Sequence, residues 1–318
     1  MNQEVIKLVS IPTFVSTLRI LIKRYLKIPL SILGYLMNVF GKRSPGVRIL
    51  FYHRINRFSF SELGPISREI SVTPEMFEKQ LIALRDMGVR TIDSEELMQT
   101  LEGRQVPDSK ALMITFDDGY EDNLEWAQPL LEKYGFTALV FVISGYVGKE
   151  TGQYWEYGDK SGLGKFLTWD QVKTLREKGI EIGAHTCTHP LLSLIKSEKV
   201  AEELELCKQE LEGNLGEPIP IFAYPGGDFN SEIVTQVGRA GYKIGMTTIP
   251  GINRANTNPL LLNRTEVSKS DSLFLFKMKI KGHLDWLAIK ESESVRRFMG
   301  RLTDIIILLT KGRSKANK

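Results

Sequence analysis

From Val47 onward the chain repeats one pattern: a short apolar run, a turn, then an amphipathic stretch with helical spacing. The apolar runs fall at 47–52, 89–92, 111–116, 137–143, 180–184, 219–224, 242–247 and 260–262. Runs this short, bounded by turn residues, read as buried strands. Helices are expected at 74–87, 95–101, 123–134, 169–178, 198–215 and 231–240. The first of these has Thr73 to cap it, Pro74 at its first position and Gly88 to end it, the signals that bound a helix. Strands that alternate with helices pair in parallel and need a helical layer over the sheet. Seven or eight such units predict a barrel-like parallel α/β domain, and no GxGxxG follows the first strand to favour an open doubly wound sheet.

Two segments carry chemistry. Thr115-Phe116-Asp117-Asp118-Gly119 closes the run 111–116, and His185-Thr186-Cys187-Thr188-His189-Pro190 follows the run 180–184. Adjacent carboxylates ending a buried strand repel each other and resist desolvation unless a cation or a buried proton offsets them. Neutral imidazoles are common ligands for zinc and similar ions. His53, Asp117, Asp118, His185 and Tyr224 all stand at or just past the C-terminal end of an expected strand. That is the end at which a parallel barrel builds its active site. Two histidines and one carboxylate supply three ligands and leave positions open for water and substrate, as in a catalytic metal site. The other carboxylate is then free to act as a general base. Cys187 reads as a small packed residue, Trp169 as packing, and the Lys and Glu residues of the helices as solvated faces.

These segments resemble the first two motifs of the NodB-type polysaccharide deacetylases (carbohydrate esterase family four), which share a distorted (β/α)7 barrel. The resemblance spans about 47 to 287. It implies that Asp117 is the base and that Asp118, His185 and His189 hold one divalent cation, Zn2+ ahead of Co2+ or Ni2+. Phe222-Ala223-Tyr224-Pro225-Gly226-Gly227 resembles the third motif, a wall of the substrate groove that includes Pro225 and Gly226. There the Tyr224 backbone N–H is expected to help hold the oxyanion.

Two positions depart from the family pattern. The arginine that orients the base is replaced by Ala223, and Arg264 or Arg54 is its substitute. The late Leu-x-His motif with the acid histidine is missing, His283 being the only later histidine. Leu50-Phe51-Tyr52-His53 instead resembles the biofilm poly-N-acetylglucosamine deacetylases, a circularly permuted branch whose acid histidine comes from the N-terminal strand. His53 is therefore the expected acid. A glycine-rich loop at 144–168 offers Tyr154, Trp155 and Tyr157 for stacking on sugar faces. The activity implied is metal-dependent removal of an N-acetyl or related N-acyl group from a saccharide. An O-acetyl esterase and an inactive carbohydrate-binding member of the fold are the alternatives.

Composition adds where the protein works. Apolar and charged residues make up 42% and 25% of the 318, close to the globular average, which excludes a disordered or all-membrane chain. Two cysteines exclude a disulfide scaffold. The net charge of +4 divides unevenly: residues 1–48 carry eight basic groups and one acid, and residues 290–318 carry eight basic groups and three acids. The body is thus acidic, which excludes a nucleic-acid partner. Phe14, Leu18, Leu21, Ile22 and Tyr25 line one helical face opposite Arg19, Lys23 and Lys27, and Phe298, Leu302, Ile305 and Leu309 repeat the arrangement. No run reaches the ~18 apolar residues of a spanning helix, and no small-residue cleavage site marks a clear signal peptide. The expected division is a basic amphipathic extension at 1–45, the barrel at 46–289 and a basic amphipathic helix at 290–318. The expected location is cytoplasmic, peripheral at the inner face of an anionic membrane.

Each buried methylene adds about 0.8 kcal/mol of membrane affinity, and each Lys or Arg near an anionic surface about 1 kcal/mol. The full chain should therefore float with anionic vesicles at low salt, and a chain trimmed to residues 41–290 should float poorly. Sedimentation of both would show that the two ends serve the fold instead.

Overall fold

Strands that are apolar on both faces need cover on both sides, and this chain provides it by curling its sheet. The computed structural model describes residues 46–286 and 288, apart from 60, 107, 109 and 152–162. The order is β1 (Arg48–Tyr52), β2 (Arg54–Ile55), α1 (Pro65–Ile70), β3 (Ser71–Val72), α2 (Pro74–Asp86), β4 (Arg90–Thr91), α3 (Ser94–Leu101) and β5 (Ala111–Phe116). A π-helical turn at Asn123–Ala127 then leads into α4 (Gln128–Tyr134). There follow β6 (Leu139–Val142), α5 (Trp169–Glu177), β7 (Glu181–Ala184), α6 (Ser197–Leu215), β8 (Ile221–Ala223), α7 (Ser231–Arg239), β9 (Ile244–Met246), β10 (Thr265–Glu266) and α8 (Leu273–Ile280).

The main sheet runs β10-β1-β5-β6-β7-β8-β9, parallel throughout, with β4 beside the start of β5. Its two ends are drawn together by one short segment. Leu262 bridges Met246 of β9 in parallel, and Thr265, three residues on, pairs with Leu50 of β1. The strand period of two then sorts side chains into two cores. Ile49, Met113, Leu139, Phe141, Ile221 and Met246 pack inside the curl. Leu50, Tyr52, Ile114, Phe116, Val140 and Phe222 face outward, against Phe77 and Leu81 of α2, Leu131 of α4, Leu175 of α5 and Leu204 of α6. Parallel strands covered on both faces, with helices outside, make the NodB-like (β/α) barrel that the sequence implies.

Local signals explain most boundaries. Thr73 accepts from the Met76 N–H at the start of α2, and Thr168 with Gln171 forms a reciprocal capping box on α5. Two expectations need correction. The strand expected at 260–262 pairs only through Leu262, and the strand itself lies later, at Thr265–Glu266. Polar residues there hide a strand that one neighbour fixes. Helix α8 adds an element that the expected pattern did not contain. It is set by the Ser272 cap on Leu275 N–H and by buried Lys279, which binds the Asp271 carboxylate and the Glu266 carbonyl. No helix among the described residues is long and apolar enough to cross a membrane. The extensions at 1–45 and 290–318 lie outside the described residues, as do Tyr154, Trp155 and Tyr157.

The closure tolerates no extra atom at Gly245. Its N–H binds the Pro259 carbonyl at 2.8 Å, and a β-carbon there would lie 2.5 Å from the Leu260 carbonyl oxygen. Gly213, near the end of α6, has open space around its missing β-carbon. In urea unfolding, Gly245→Ala should lose about 1–3 kcal/mol or more through overpacking, while Gly213→Ala should gain about 0.5–1 kcal/mol from helix propensity.

Candidate metal centre and catalytic residues

Parallel pairing delivers the candidate residues to one end of the barrel. Tyr52 pairs with Phe116, so the residues that follow, His53 and Asp117, leave β1 and β5 side by side. The Asp117 N–H extends that ladder to the Tyr52 carbonyl at 2.9 Å, and the His185 N–H likewise reaches the Val142 carbonyl at 3.0 Å. Beyond the strands the backbone turns sharply. Asp118, Thr186 and His189 have φ of 77°, 63° and 59°, three of the four described non-glycine residues in the left-handed region. Such backbone is unfavourable for residues with a β-carbon and is held by its surroundings.

These turns converge Asp118, His185 and His189. Asp118 Oδ1 lies 3.4 Å from His185 Nε2 and 3.5 Å from His189 Nε2, and it is buried without a hydrogen-bond partner. His185 Nδ1 sits 2.9 Å from the Ala223 carbonyl, which fixes the proton on Nδ1 in the neutral ring and turns the Nε2 lone pair toward Asp118. Donors at 2.0–2.2 Å around a tetrahedral ion stand roughly 3.3–3.6 Å apart. Both distances from Asp118 fall in that range, and the three donor atoms all lie within 4.8 Å of one another, so the residues suit a divalent cation, with the orphaned carboxylate oxygen at the centre of the set. Burial would raise the Asp118 carboxyl, but the imidazoles of His185, His189 and His53 outweigh it and hold it below the usual carboxylate range. Burial pushes the His189 imidazole down to about 4, so the ring is neutral and able to coordinate at pH 7. His185 behaves oppositely: burial would lower it, yet Asp118 and Asp117 raise it. Cys187 stands outside the set, with its thiol raised mainly by burial.

Asp117 has a different partner. Arg264 meets it with two bonds, Nη1 to Oδ1 at 2.6 Å and Nη2 to Oδ2 at 2.8 Å, inside the barrel. The guanidinium is fully buried between the rings of Phe51 and Phe141, at 4.6 and 5.3 Å, and donates from Nε to the Thr247 carbonyl at 2.9 Å. Burial would raise the Asp117 carboxyl, but Arg264 first, then His185 and His53, bring it below the usual range. Arg54 is committed elsewhere, to Asp122 at 2.8 Å and the Leu163 carbonyl at 3.0 Å, stacked on Tyr120. Of the two arginines only Arg264 reaches the Asp117 carboxylate.

His53 is half-buried, edge-on to Phe51 at 5.7 Å, and lies within electrostatic reach of both carboxylates. Residues just after β5 hold its backbone: Asn123 Nδ2 donates to the His53 carbonyl at 2.9 Å, and Asp122 accepts from the Ile55 N–H at 3.2 Å. Neither was singled out from the sequence, although a buried Arg54 calls for a carboxylate.

Tyr224 does not play the part expected of it. Its N–H donates to the Met246 carbonyl at 3.1 Å, because Ala223 pairs with Met246 and a parallel ladder takes the next amide. Its hydroxyl donates to the Leu260 carbonyl at 2.9 Å, and its ring lies between Phe222 and Phe229. The first amide past Pro225 belongs to Gly226, which is exposed at φ 60° and faces Leu191, two residues beyond His189. Gly226 thus stands against the loop that carries His185 and His189.

Comparison with known proteins places the chain in one family. The family described as polysaccharide deacetylase matches residues 104–245, which include the Asp117–Asp118 and His185–His189 segments. YxkH of Bacillus subtilis, assigned by its name to the polysaccharide deacetylases, is 30% identical over 220 residues, covering 69% of this chain and 71% of YxkH. The poly-beta-1,6-N-acetyl-D-glucosamine N-deacetylase of Staphylococcus aureus (strain MSSA476) is 26% identical, covering 69% of this chain and 78% of its own. Among solved structures, the Streptococcus pyogenes deacetylase PplD in complex with acetate superposes with a TM-score of 0.64 at 28% identity, over 74% of this chain and 99% of PplD. With its parallel barrel and its strand-end aspartates and histidines, the chain belongs to the polysaccharide deacetylase family.

Proposed function

We propose that this chain removes an N-acetyl group from a sugar of a polysaccharide or membrane-linked saccharide, using one divalent cation, Zn2+ first among the candidates. The observation that carries the reading is the division of labour between neighbouring carboxylates. Asp118 presents a bare oxygen between two imidazole nitrogens, while Asp117 is claimed separately by Arg264. A cation held by Asp118, His185 and His189 supplies a Lewis acid and lowers the pKa of coordinated water.

The other residues follow from position. Asp117, kept ionised by Arg264, takes the proton of the attacking water. The Gly226 N–H, in place of the engaged Tyr224 amide, donates to the oxyanion as charge develops. His53, beside Asp117 at the end of β1, protonates the departing amine. Arg264 also supports activity over a binding-only role, since it gives Asp117 the guanidinium that Ala223 does not supply. For the substrate, the reading is supported by the S. aureus relative named for poly-beta-1,6-N-acetyl-D-glucosamine and by PplD with its bound acetate. For location, the basic ends support the inner membrane surface, where lipid-linked saccharides lie.

Acetate release from N-acetylglucosamine oligomers, with elemental analysis of the purified protein, tests the reading. Release should stop with chelator and return with Zn2+. Asp117→Asn should cut turnover by roughly 10²–10⁴-fold with cation content intact, whereas His185→Ala should lose the cation itself. Equal loss of cation in both variants, or a cation-loaded protein that releases no acetate, would contradict the assignment. Arg264→Lys keeps the charge but loses the two-pronged grip, and should lower kcat by roughly 10²-fold without changing cation content.

A further inference from the structure

Glu203 stands on α6, on a helix face that reads as solvated, outside every motif above. Its carboxylate nonetheless takes three hydrogen bonds from two of the three residues between His185 and His189, Cys187 and Thr188. The Cys187 N–H and Thr188 N–H each donate to Oε2 at 2.8 Å, and Thr188 Oγ1 donates to Oε1 at 2.5 Å.

That turn has reason to be held. It enters the left-handed region at Thr186 and again at His189, neither of them glycine. Part of its support is internal: the Thr186 hydroxyl donates to the His185 carbonyl and accepts from the His189 N–H at 2.9 Å. Part comes from the β6 side, where the Ser144 and Gly145 amides donate to the carbonyls of Thr186 and Cys187 at 3.2 and 3.0 Å. A β-carbon at Gly145 would lie 2.4 Å from the Cys187 oxygen, so the two backbones touch there. Tyr146 Oη adds a bond to the Thr188 carbonyl at 3.0 Å. All these β6-side bonds take carbonyls. The amides of the turn point the other way, and a single anionic side chain receives two of them with the charge-assisted strength of a carboxylate.

We propose that Glu203 is a positioning residue: it holds the Thr186–His189 turn so that both imidazoles face Asp118, and thereby sets the affinity of the site for a divalent cation. The proposal rests on the metal-centre reading above. Partners of this kind, one shell out from the ligands, typically change metal affinity by 10–100-fold when removed.

The test uses the full chain, stripped with chelator and titrated with Zn2+ and with Co2+, whose visible absorption reports ligand geometry. Glu203→Ala should weaken Zn2+ binding by roughly 10–100-fold and alter the Co2+ bands. Glu203→Gln, which keeps one accepting oxygen, should fall between that variant and the native protein. Thermal melting of the cation-free proteins separates this from general damage. A lowered melting temperature with native cation affinity and a superimposable Co2+ spectrum would overturn the proposal and leave the metal centre standing. If Glu203→Ala does not fold, native affinity in Glu203→Gln would overturn it equally. A native protein that takes up neither cation would remove the metal-centre reading, and this proposal with it.

Discussion

Two carboxylates buried side by side at the end of β5 set the terms for the rest of this site. Asp117 and Asp118 are each 3% exposed, and two bare charges so placed would be strongly unfavourable in a folded interior. The protein answers each differently. Asp117 receives a fixed guanidinium inside the barrel, and Asp118 receives two imidazoles and a space between them that suits an ion. Because the compensating groups are distinct, the two carboxylates can have distinct duties although they are neighbours in sequence.

Backbone geometry is the second requirement. A strand would point successive side chains to opposite faces, so Asp117 inside the barrel implies Asp118 outside it. The left-handed turn at Asp118 breaks that alternation and returns its carboxylate to the histidines. Thr186 and His189 make the matching departure on the other side. Strain of this kind costs on the order of 1–3 kcal/mol per residue, and it persists because strand ends, the Thr186 hydroxyl and the α6 carboxylate leave the loop little choice.

Much of this was legible in the sequence, and what was not has a common physical origin. Strand and helix alternation, the Thr73 cap and the glycine stops are local signals, readable within a few residues. The paired aspartates and the two histidines stand out because such groups are costly at the ends of buried strands. Arg264 was legible only as one of two arginines, since choosing it over Arg54 depends on how the last segment meets β1 and β9. Tyr224 was misread because the fate of its amide depends on the register between β8 and β9, which no residue type announces. Glu203 looks like any glutamate on an exposed helical face until the loop that it grips is in place.

The origin of Arg264 has a consequence for when the site becomes whole. The guanidinium belongs to the segment that joins β9 to β1, and it lies 147 positions after the carboxylate it neutralises. Asp118, His185 and His189 all precede Arg264 in the chain, so Asp117 gains its counterion only when the last segment of the barrel is in place. The ion pair thus ties the end of the barrel to its middle: the contact that balances the Asp117 charge also holds the closing segment against the strand that carries it.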